Sequence, residues 1–516
     1  MAERRGPGVP GRVLLPLAAA LALTFAPACR AELRFSPGVQ LTETWTDNVN
    51  LAEPGQAHRE FITDLAPSFV LSENTRRLQL AASFMLHAYK YTDRSAPNIN
   101  DSSRQLQADL KARVVDDFLF LDANASRGQQ ALSAFGPQVN GNYYAGSNRT
   151  EVSSWRISPY IVRRLGTFAD MQLRYTRDAV TSSTRGYADT HSDTVDLSLA
   201  GNGERRVGWS LYYERQHLVD RLAGGSTSAN LGGSLSWRLR PGFALTAGAG
   251  YDDYDFQPLG GRTRGRNWHA GFEWNPSPRT SLSASSGRRF YGPSHALAAT
   301  HRSRHTVWNI NYSEAVTTSR SQFLLPATID TADLLDRLFM PNIPDSAERR
   351  LAVQAYLQAT GLPASLANDV NYLSNRYMLQ KQFQASAGFN GAHSLLVLSV
   401  FDTRNTALSL QQADSQLLGS NLLSLNDNVH QKGVAANYNY RLSARSQASA
   451  GLILSRSDSL TTAVRQDNRA LRVGLTRQFQ RRLQGQLELR HVLGTAVTGG
   501  HSYTENAVAA TLSMTL

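Results

Sequence analysis

Alternation with a period of two residues runs through almost the whole chain, and it restricts the fold more than any other feature. From Arg77 to Tyr91, Leu78, Leu80, Ala82, Phe84, Leu86 and Ala88 fill one parity, while Arg77, Gln79, Ser83, His87 and Tyr89 fill the other. The next stretch sets Leu106, Ala108, Leu110, Ala112 and Val114 against Gln105, Gln107, Asp109, Lys111 and Arg113. The same pattern returns at Ala169–Thr176, Val207–Gln216 and Asn267–Trp274, and the chain ends on the apolar parity at Val508, Ala510, Leu512, Met514 and Leu516. Successive side chains of a strand point to opposite faces, so this pattern gives strands with one apolar and one polar face.

Strands of about 10 residues with two such faces suit a transmembrane barrel. In lipid every backbone polar group must pair between strands, and closure removes the edges. A soluble sandwich or propeller also alternates. However, there are too many consecutive strands for one sandwich, and no blade-length repeat stands out. The polar parity carries Gln, Arg, Asp and Glu, as a water-filled lumen requires. Aromatics gather near segment ends, at Trp209, Tyr213, Trp237, Tyr251, Trp274, Trp308, Tyr312, Tyr438 and Tyr440, as interface girdles do. The expected fold is therefore all-β, a closed antiparallel transmembrane barrel of about 22 strands (range 18 to 22), occupying residues 32–516.

Short connections alternate with long ones. The short set is Ser72–Arg76, Val115–Asp117, Leu165–Thr167, Arg240–Gly242, Asn275–Arg279, Asn390–His393, Leu442–Arg445 and Gln480–Arg482. The long set includes Asn48–Glu60, Asp93–Asp101, Gln129–Arg149 and Thr406–Asn428. Short periplasmic turns and long external loops are the usual barrel asymmetry. With both termini periplasmic the strand count is even. A first count gives 21, and splitting Gly292–Val316 near Arg302–Arg304 gives 22; Ser319–Leu325 is the alternative place for the missing strand.

Residues 327–373 break the period. Asp330-Thr331 followed by Leu334, Leu335, Leu338 and Phe339 reads as a capped amphipathic helix, and Asp345-x-x-Glu348 as a capping box whose helix ends at Gly361-Leu362-Pro363. Ser365 to Leu373 reads as a third. Their apolar stripes need a surface to cover. Either this insertion is a loop domain packed over the barrel mouth, or it is a plug inside the lumen.

Residues 1–31 read as a signal peptide: Arg4, Arg5 and Arg12, then apolar Val13–Phe25, then Cys29-Arg30-Ala31 as the cleavage site. The rival is a lipoprotein leader with Cys29 as the lipidated residue. Either way the chain is exported, and the cell outer membrane is the expected location. Lys and Arg number 53 against 41 Asp and Glu, a net charge of +12. Removing the leader's four arginines and one glutamate leaves +9. Cys29 is the single cysteine, so the mature chain has no disulfide and no Cys-based metal site. The positive charge is arginine dispersed along strands, without a basic arm, which argues against nucleic acid as a partner.

Enzyme motifs are missing: there is no Walker loop, no His-Glu-x-x-His and no Gly-x-Ser-x-Gly elbow, the nearest being Gly232-Gly233-Ser234 in a strand. His191 with Asp193 and His217 with Asp220 are explained as solvated strand-end polars. A non-enzyme without cofactors is expected. The candidate functional residues are instead the charges on the inward parity: Lys111, Arg113, Arg156, Arg174, Arg238, Arg472 and Arg490, with Asp109, Asp122, Asp196, Glu214, Glu273 and Glu488. They read either as ion pairs bracing a wide barrel or as a mixed-charge pore lining.

Several short stretches carry a resemblance through their combined order. They are Thr46-Asp47-Asn48-Val49, Ala66-Pro67-Ser68, Asn148-Arg149-Thr150-Glu151-Val152, Ile157-Ser158-Pro159-Tyr160 and Gly287-Arg288-Arg289-Phe290-Tyr291-Gly292. His301-Arg302-Ser303-Arg304, Trp308 to Tyr312-Ser313-Glu314, Ile343-Pro344-Asp345, Gly361-Leu362-Pro363 and Asn375-Arg376-Tyr377 continue it. On these the chain resembles the outer-membrane β-barrel family associated with PEP-CTERM/exosortase systems, encoded near exopolysaccharide biosynthesis genes. The resemblance covers nearly all of the mature chain and supplies no active-site residues. The final Leu516 departs from the aromatic usual at the end of outer-membrane barrels, which bears on recognition by the barrel-assembly machinery and not on the fold. The resemblance implies a pore or an export and assembly component of an exopolysaccharide or PEP-CTERM surface system. Outer-membrane lipid, the assembly machinery and polysaccharide-export proteins are the expected partners. A general diffusion porin and a non-conducting surface scaffold anchored by a barrel are the alternatives.

Overall fold

The computed structural model describes residues 33–516 except 95–100, 132, 138–140, 142, 145–147, 184–188, 202–205, 221–223, 257, 260–261, 319, 410–427, 463 and 496–501. Within 321–375 it describes Leu335, Asp336, Phe339, Arg349 and Val353. The expected signal peptide and the bounds of the three expected helices lie outside the described residues.

Twenty-two antiparallel strands form one closed sheet. In chain order they are β1 Arg34–Thr46, β2 Glu60–Asn74, β3 Leu78–Tyr91, β4 Ser102–Val115, β5 Leu119–Ala131, β6 Arg149–Leu165 and β7 Ala169–Ser182. Next come β8 Thr190–Gly201, β9 Val207–Asp220, β10 Gly224–Arg240, β11 Phe243–Tyr254, β12 Arg264–Ser277, β13 Thr280–Arg289, β14 Gly292–Arg302 and β15 Thr306–Thr317. The last are β16 Met378–Asn390, β17 Ser394–Ala407, β18 Asn428–Ser443, β19 Ser446–Ser459, β20 Arg465–Gln480, β21 Leu483–Thr495 and β22 Ser502–Thr515. Each strand pairs with its sequence neighbour, and β22 closes on β1 with Leu512 opposite Leu41 and Met514 opposite Val39. The expected split near Arg302–Arg304 falls between β14 and β15. Of the alternative stretch Ser319–Leu325, Arg320 is the residue described, and it is helical.

Every short connection expected from sequence is a hairpin at one end of the barrel. Five of these hairpins carry a register shift beside the turn, at Arg113/Val115, Arg238/Arg240, Trp274/Ser277, Arg441/Ser443 and Gln478/Gln480. A bulge there adds twist where the chain must reverse tightly. Gly242 holds φ +76° in one such turn, and a Cβ there would stand 2.3 Å from the Asn275 carbonyl oxygen, so only glycine fits.

Cross-strand partners share a face, so register sorts every side chain as inward or outward. The outward set includes the exposed apolar residues Leu231, Leu235, Leu471, Val473, Leu475, Leu487, Leu489 and Leu512. Trp237, Trp274, Trp308, Tyr438 and Tyr440 flank this belt near the hairpin end, and Trp45, Tyr251 and Trp268 near the other; all are exposed. On β11 the outward Phe243 and Tyr251 are eight residues apart, roughly 27 Å along the strand. Tilted by about 40°, that covers most of an apolar band about 25 Å tall. A closed barrel with such a belt is a membrane-spanning barrel of the outer-membrane type.

The strands run 10 to 17 residues, longer than the expected 10. The excess is at the external end, where outward positions turn charged. Arg456 pairs with Asp467 at 2.6 Å and Arg465 with Asp458 at 2.8 Å there, above the belt residues Leu471 and Val473. Strand length is set by how far the sheet continues beyond lipid as well as by the bilayer.

Candidate functional site

The inward faces define a lumen, and all thirteen charged candidates lie on them. Asp109, Lys111 and Arg113 are on β4, Asp122 on β5, Arg156 on β6, Arg174 on β7, Asp196 on β8 and Glu214 on β9. Arg238 is on β10, Glu273 on β12, Arg472 on β20, and Glu488 and Arg490 on β21. Register brings several together. Arg174, Asp196, Glu214, Asn230 and Asp252 form one continuous row across β7 to β11. Arg174 donates to Asp122 at 3.0 Å, and its guanidinium sits 4.0 Å over the Tyr160 ring. Lys111 stands directly across from Asp122, and Arg156 across from Asp178.

Glu488 and Arg490 also meet, at 3.5 Å on β21, while Arg238, Glu273 and Arg113 are held apart from the row. Arg238 and Glu273 both face Ala244, one from each side, close to the hairpin end. Arg113 is exposed opposite Phe120. Arg490 faces inward but is covered. It donates to Glu505 at 3.1 Å, and its guanidinium lies 5.4 Å from the centre of the Tyr144 ring.

Several inward residues of consequence escaped the sequence reading. Asp252 is fully buried and is gripped by Arg289 at 2.7 and 3.0 Å and by Asn267 at 2.9 Å. Arg289 reaches it across β12, where the residue opposite Asp252 is Gly265, which has no side chain. Asp64 is another, and pairs at 2.8 Å with His87, which the alternation already placed on the polar parity. Continuing the parity to the external strand ends would have found all of these. His191 and Asp193, by contrast, lie on the outward face of β8, and His217 and Asp220 lie on opposite faces of β9.

Among the described residues, two bridges stand out at the external end of the lumen. The connection between β5 and β6 crosses to the far wall, where Phe135 packs with Val429 of β18 and the Gly136 carbonyl accepts from Gln466 of β20. Further along, Tyr144 is buried with Ala470, Val492 and Tyr503 and donates to Glu505 at 2.9 Å. Asn148 fastens its base through two bonds with the Ser133 backbone, of 2.8 and 3.0 Å. The second bridge joins the β11–β12 and β17–β18 connections. Pro258 pairs with Ser409, and the Leu259 amide donates to the Leu408 carbonyl at 2.9 Å. Phe256 stacks on Tyr377 with ring centres 4.8 Å apart, and the Tyr377 hydroxyl bonds Ser226 of β10.

A third intrusion comes from the segment between β15 and β16. It leaves the wall at the external end, after Thr317. Leu335, 0% exposed, and Val353, 3% exposed, nevertheless form one buried cluster with Val307, Leu395 and Val397, with Phe339 packed against it. Those three wall residues face inward near the hairpin end. Val307 and Val397 flank Gly388, whose missing side chain opens a seat between them. Val307 lies ten residues before Thr317, about 33 Å along the strand. Asp336 and Arg349 join two parts of the segment by a 2.8 Å ion pair. Arg320, almost fully buried, pairs with Asp178 on the charged wall. Burial and the nearby Arg156 guanidinium push Arg320 down to about 10, so it stays cationic at neutral pH.

No protein-family model matches the chain, and no curated protein matches it. Among solved structures it is similar to the FrpB iron transporter from Neisseria meningitidis in its apoprotein form, at 12% identity and TM-score 0.48, over 93% of this chain and 81% of that one. It is similar to the siderophore receptor PirA from Pseudomonas aeruginosa at 11% identity and TM-score 0.43, over 95% and 82%. OccK7 (OpdD) from Pseudomonas aeruginosa follows at 10% identity and TM-score 0.30, over 94% and 99%.

Proposed function

We propose that this outer-membrane barrel is a gated pore of an exopolysaccharide or PEP-CTERM surface system, serving export or assembly of a surface polymer. The single observation that carries the gated reading is the buried cluster of Leu335 and Val353 with Val307, Leu395 and Val397 inside the lumen. A general diffusion porin has no use for an apolar seat deep in its water path, and a pure anchor has no use for a polar, hydrated wall. The system is supported by the sequence resemblance alone. Its partners are then outer-membrane lipid, the barrel-assembly machinery and polysaccharide-export proteins, without nucleic acid. The inward charges act as lining and bracing, and the protein is not an enzyme. The test is loss of the polymer from the cell surface on deletion of the gene, with rescue by the intact protein. Normal surface polymer in the deletion strain rules the export role out.

A further inference from the structure

We propose that the hairpin rim of the barrel captures an acidic glycan, a chain carrying carboxylates, and that its anchoring point is the cavity beside Arg279 and Arg302. This rests on the lumen being a conduit for a surface polymer and names the chemistry of that polymer.

Three inward arginines at the hairpin end, the periplasmic side of an outer-membrane barrel, repeat one arrangement. The Arg113 amide donates to the Arg77 carbonyl, the Arg238 amide to that of Arg206, and the Arg302 amide to that of Arg279, each at 2.8 Å. In every case the acceptor stands just before the first residue of the neighbouring strand, so two arginines sit side by side on the rim. All six are exposed. Like charges opposite each other destabilise a sheet, and bracing would set a carboxylate against each. Asp116 does answer Arg77, at 2.7 Å. Among the described residues, however, the five hairpins from β12–β13 to β20–β21, with the two positions on either side of each, hold Arg279, Arg302, Arg304, Arg445, Arg481 and Arg482 and no acidic side chain.

The third doublet borders a cavity of about 420 Å³, lined by Arg279, Thr280, Ser281, Thr300, His301 and Arg302 among others. The Ser281 and Thr300 hydroxyls bond each other at 2.6 Å, and the Thr280 hydroxyl meets the His301 ring at 2.9 Å. A guanidinium fork receives a carboxylate through two parallel bonds. Hydroxyls beside it, each donor and acceptor, suit the hydroxyl edge of a sugar. Arg302 also lies directly across from Val307, a wall residue of the apolar seat. A chain held there stands at the threshold of the gate.

Arg113, Arg238 and Arg302 face the lumen, away from the headgroups of the inner leaflet, which argues against lipid as the occupant. They lie on β4, β10 and β14, around the opening rather than on one flank. That spread suits an entering chain better than the face of a docked protein. On β4 the cationic path continues inward, since exposed Lys111 follows Arg113 on the same face. A basic funnel raises the local concentration of a polyanion, and weak exposed sites in series let it move on.

The test is calorimetry on the full chain in detergent, at low and at physiological salt. The probes are a galacturonate heptamer, maltoheptaose as the neutral glycan, a glutamate heptapeptide and inorganic phosphate. Heat-modifiable migration checks the folding of each variant. The galacturonate heptamer should bind, less tightly at higher salt, and Arg279→Gln with Arg302→Gln should weaken it roughly tenfold, as for lost bonds to a charged group. Arg279→Lys with Arg302→Lys keeps the charge but not the fork and should give an intermediate loss. Arg404→Gln with Lys432→Gln, which removes the same charge from exposed positions at the external end, should leave binding unchanged. Equal weakening by both glutamine pairs, maltoheptaose binding as tight as galacturonate, tighter binding of the glutamate peptide, or phosphate competing equally at matched charge overturns the proposal. Galacturonate binding that vanishes in phosphatidylglycerol nanodiscs assigns the rim to lipid headgroups and overturns it too. Rim binding with normal surface polymer in the deletion strain keeps the capture surface and removes the export reading. Lost surface polymer without rim binding does the reverse.

Discussion

Leu335 shares a fully buried cluster with Val397, although its segment leaves the barrel wall at the opposite end of the strands. The alternation of β17 breaks at this point, because Val397 occupies an inward position where a water-filled lumen calls for a polar residue. The apolar triplet of Val307, Leu395 and Val397 makes sense only with a covering partner.

Lipid-face and lumen-face substitutions should separate cleanly. Leu110→Arg places a charge on the apolar belt and should cost about 2–4 kcal/mol if near the membrane midplane. Gln107→Arg, inward and exposed three residues earlier, should be nearly silent. Urea unfolding in lipid reports both, and equal effects would mean the register is wrong.

The Asp252–Arg289 clamp should behave as a buried pair. Arg289→Met leaves a fully buried carboxylate without its cation and should lose roughly 3–5 kcal/mol. Combining it with Asp252→Leu should recover most of that loss, because the uncompensated charge disappears. A double variant no more stable than Arg289→Met would show that the pair does not act as a unit.

Most of the fold was legible in the sequence, for a simple reason. A barrel is made of local alternation and short turns, and both are written in consecutive residues. Alternation alone counted 21 strands; periplasmic placement of both termini required an even number, and the split at Arg302–Arg304 met it. The lumen was half legible. Parity placed Arg174, Asp196 and Glu214 on one face, and pairing then put them in one row. What parity cannot supply is what crosses the lumen. Tyr144 reaching Glu505, or Phe135 reaching Val429, joins residues hundreds of positions apart, and no periodicity encodes such a contact.

The mouth bridge yields its own expectation. Tyr144→Phe removes the 2.9 Å bond to Glu505 but keeps the ring in its apolar site, and should destabilise the bridge by about 1.5–3 kcal/mol, as for bonds to charged groups. Proteolysis of the β5–β6 connection in intact cells should speed up while the barrel stays resistant. Unchanged cleavage would mean that this bond does not hold the bridge.

Single-channel conductance of the full protein in planar bilayers, with and without Leu335→Asp and Val353→Asp, tests the central claim most directly. Two buried carboxylates against Val307, Leu395 and Val397 should expel the segment without touching the barrel wall. Low conductance in the unaltered protein, rising severalfold in the variant while heat-modifiable migration persists, is the result the account predicts. A large open pore before any substitution, or no rise after both, would contradict it.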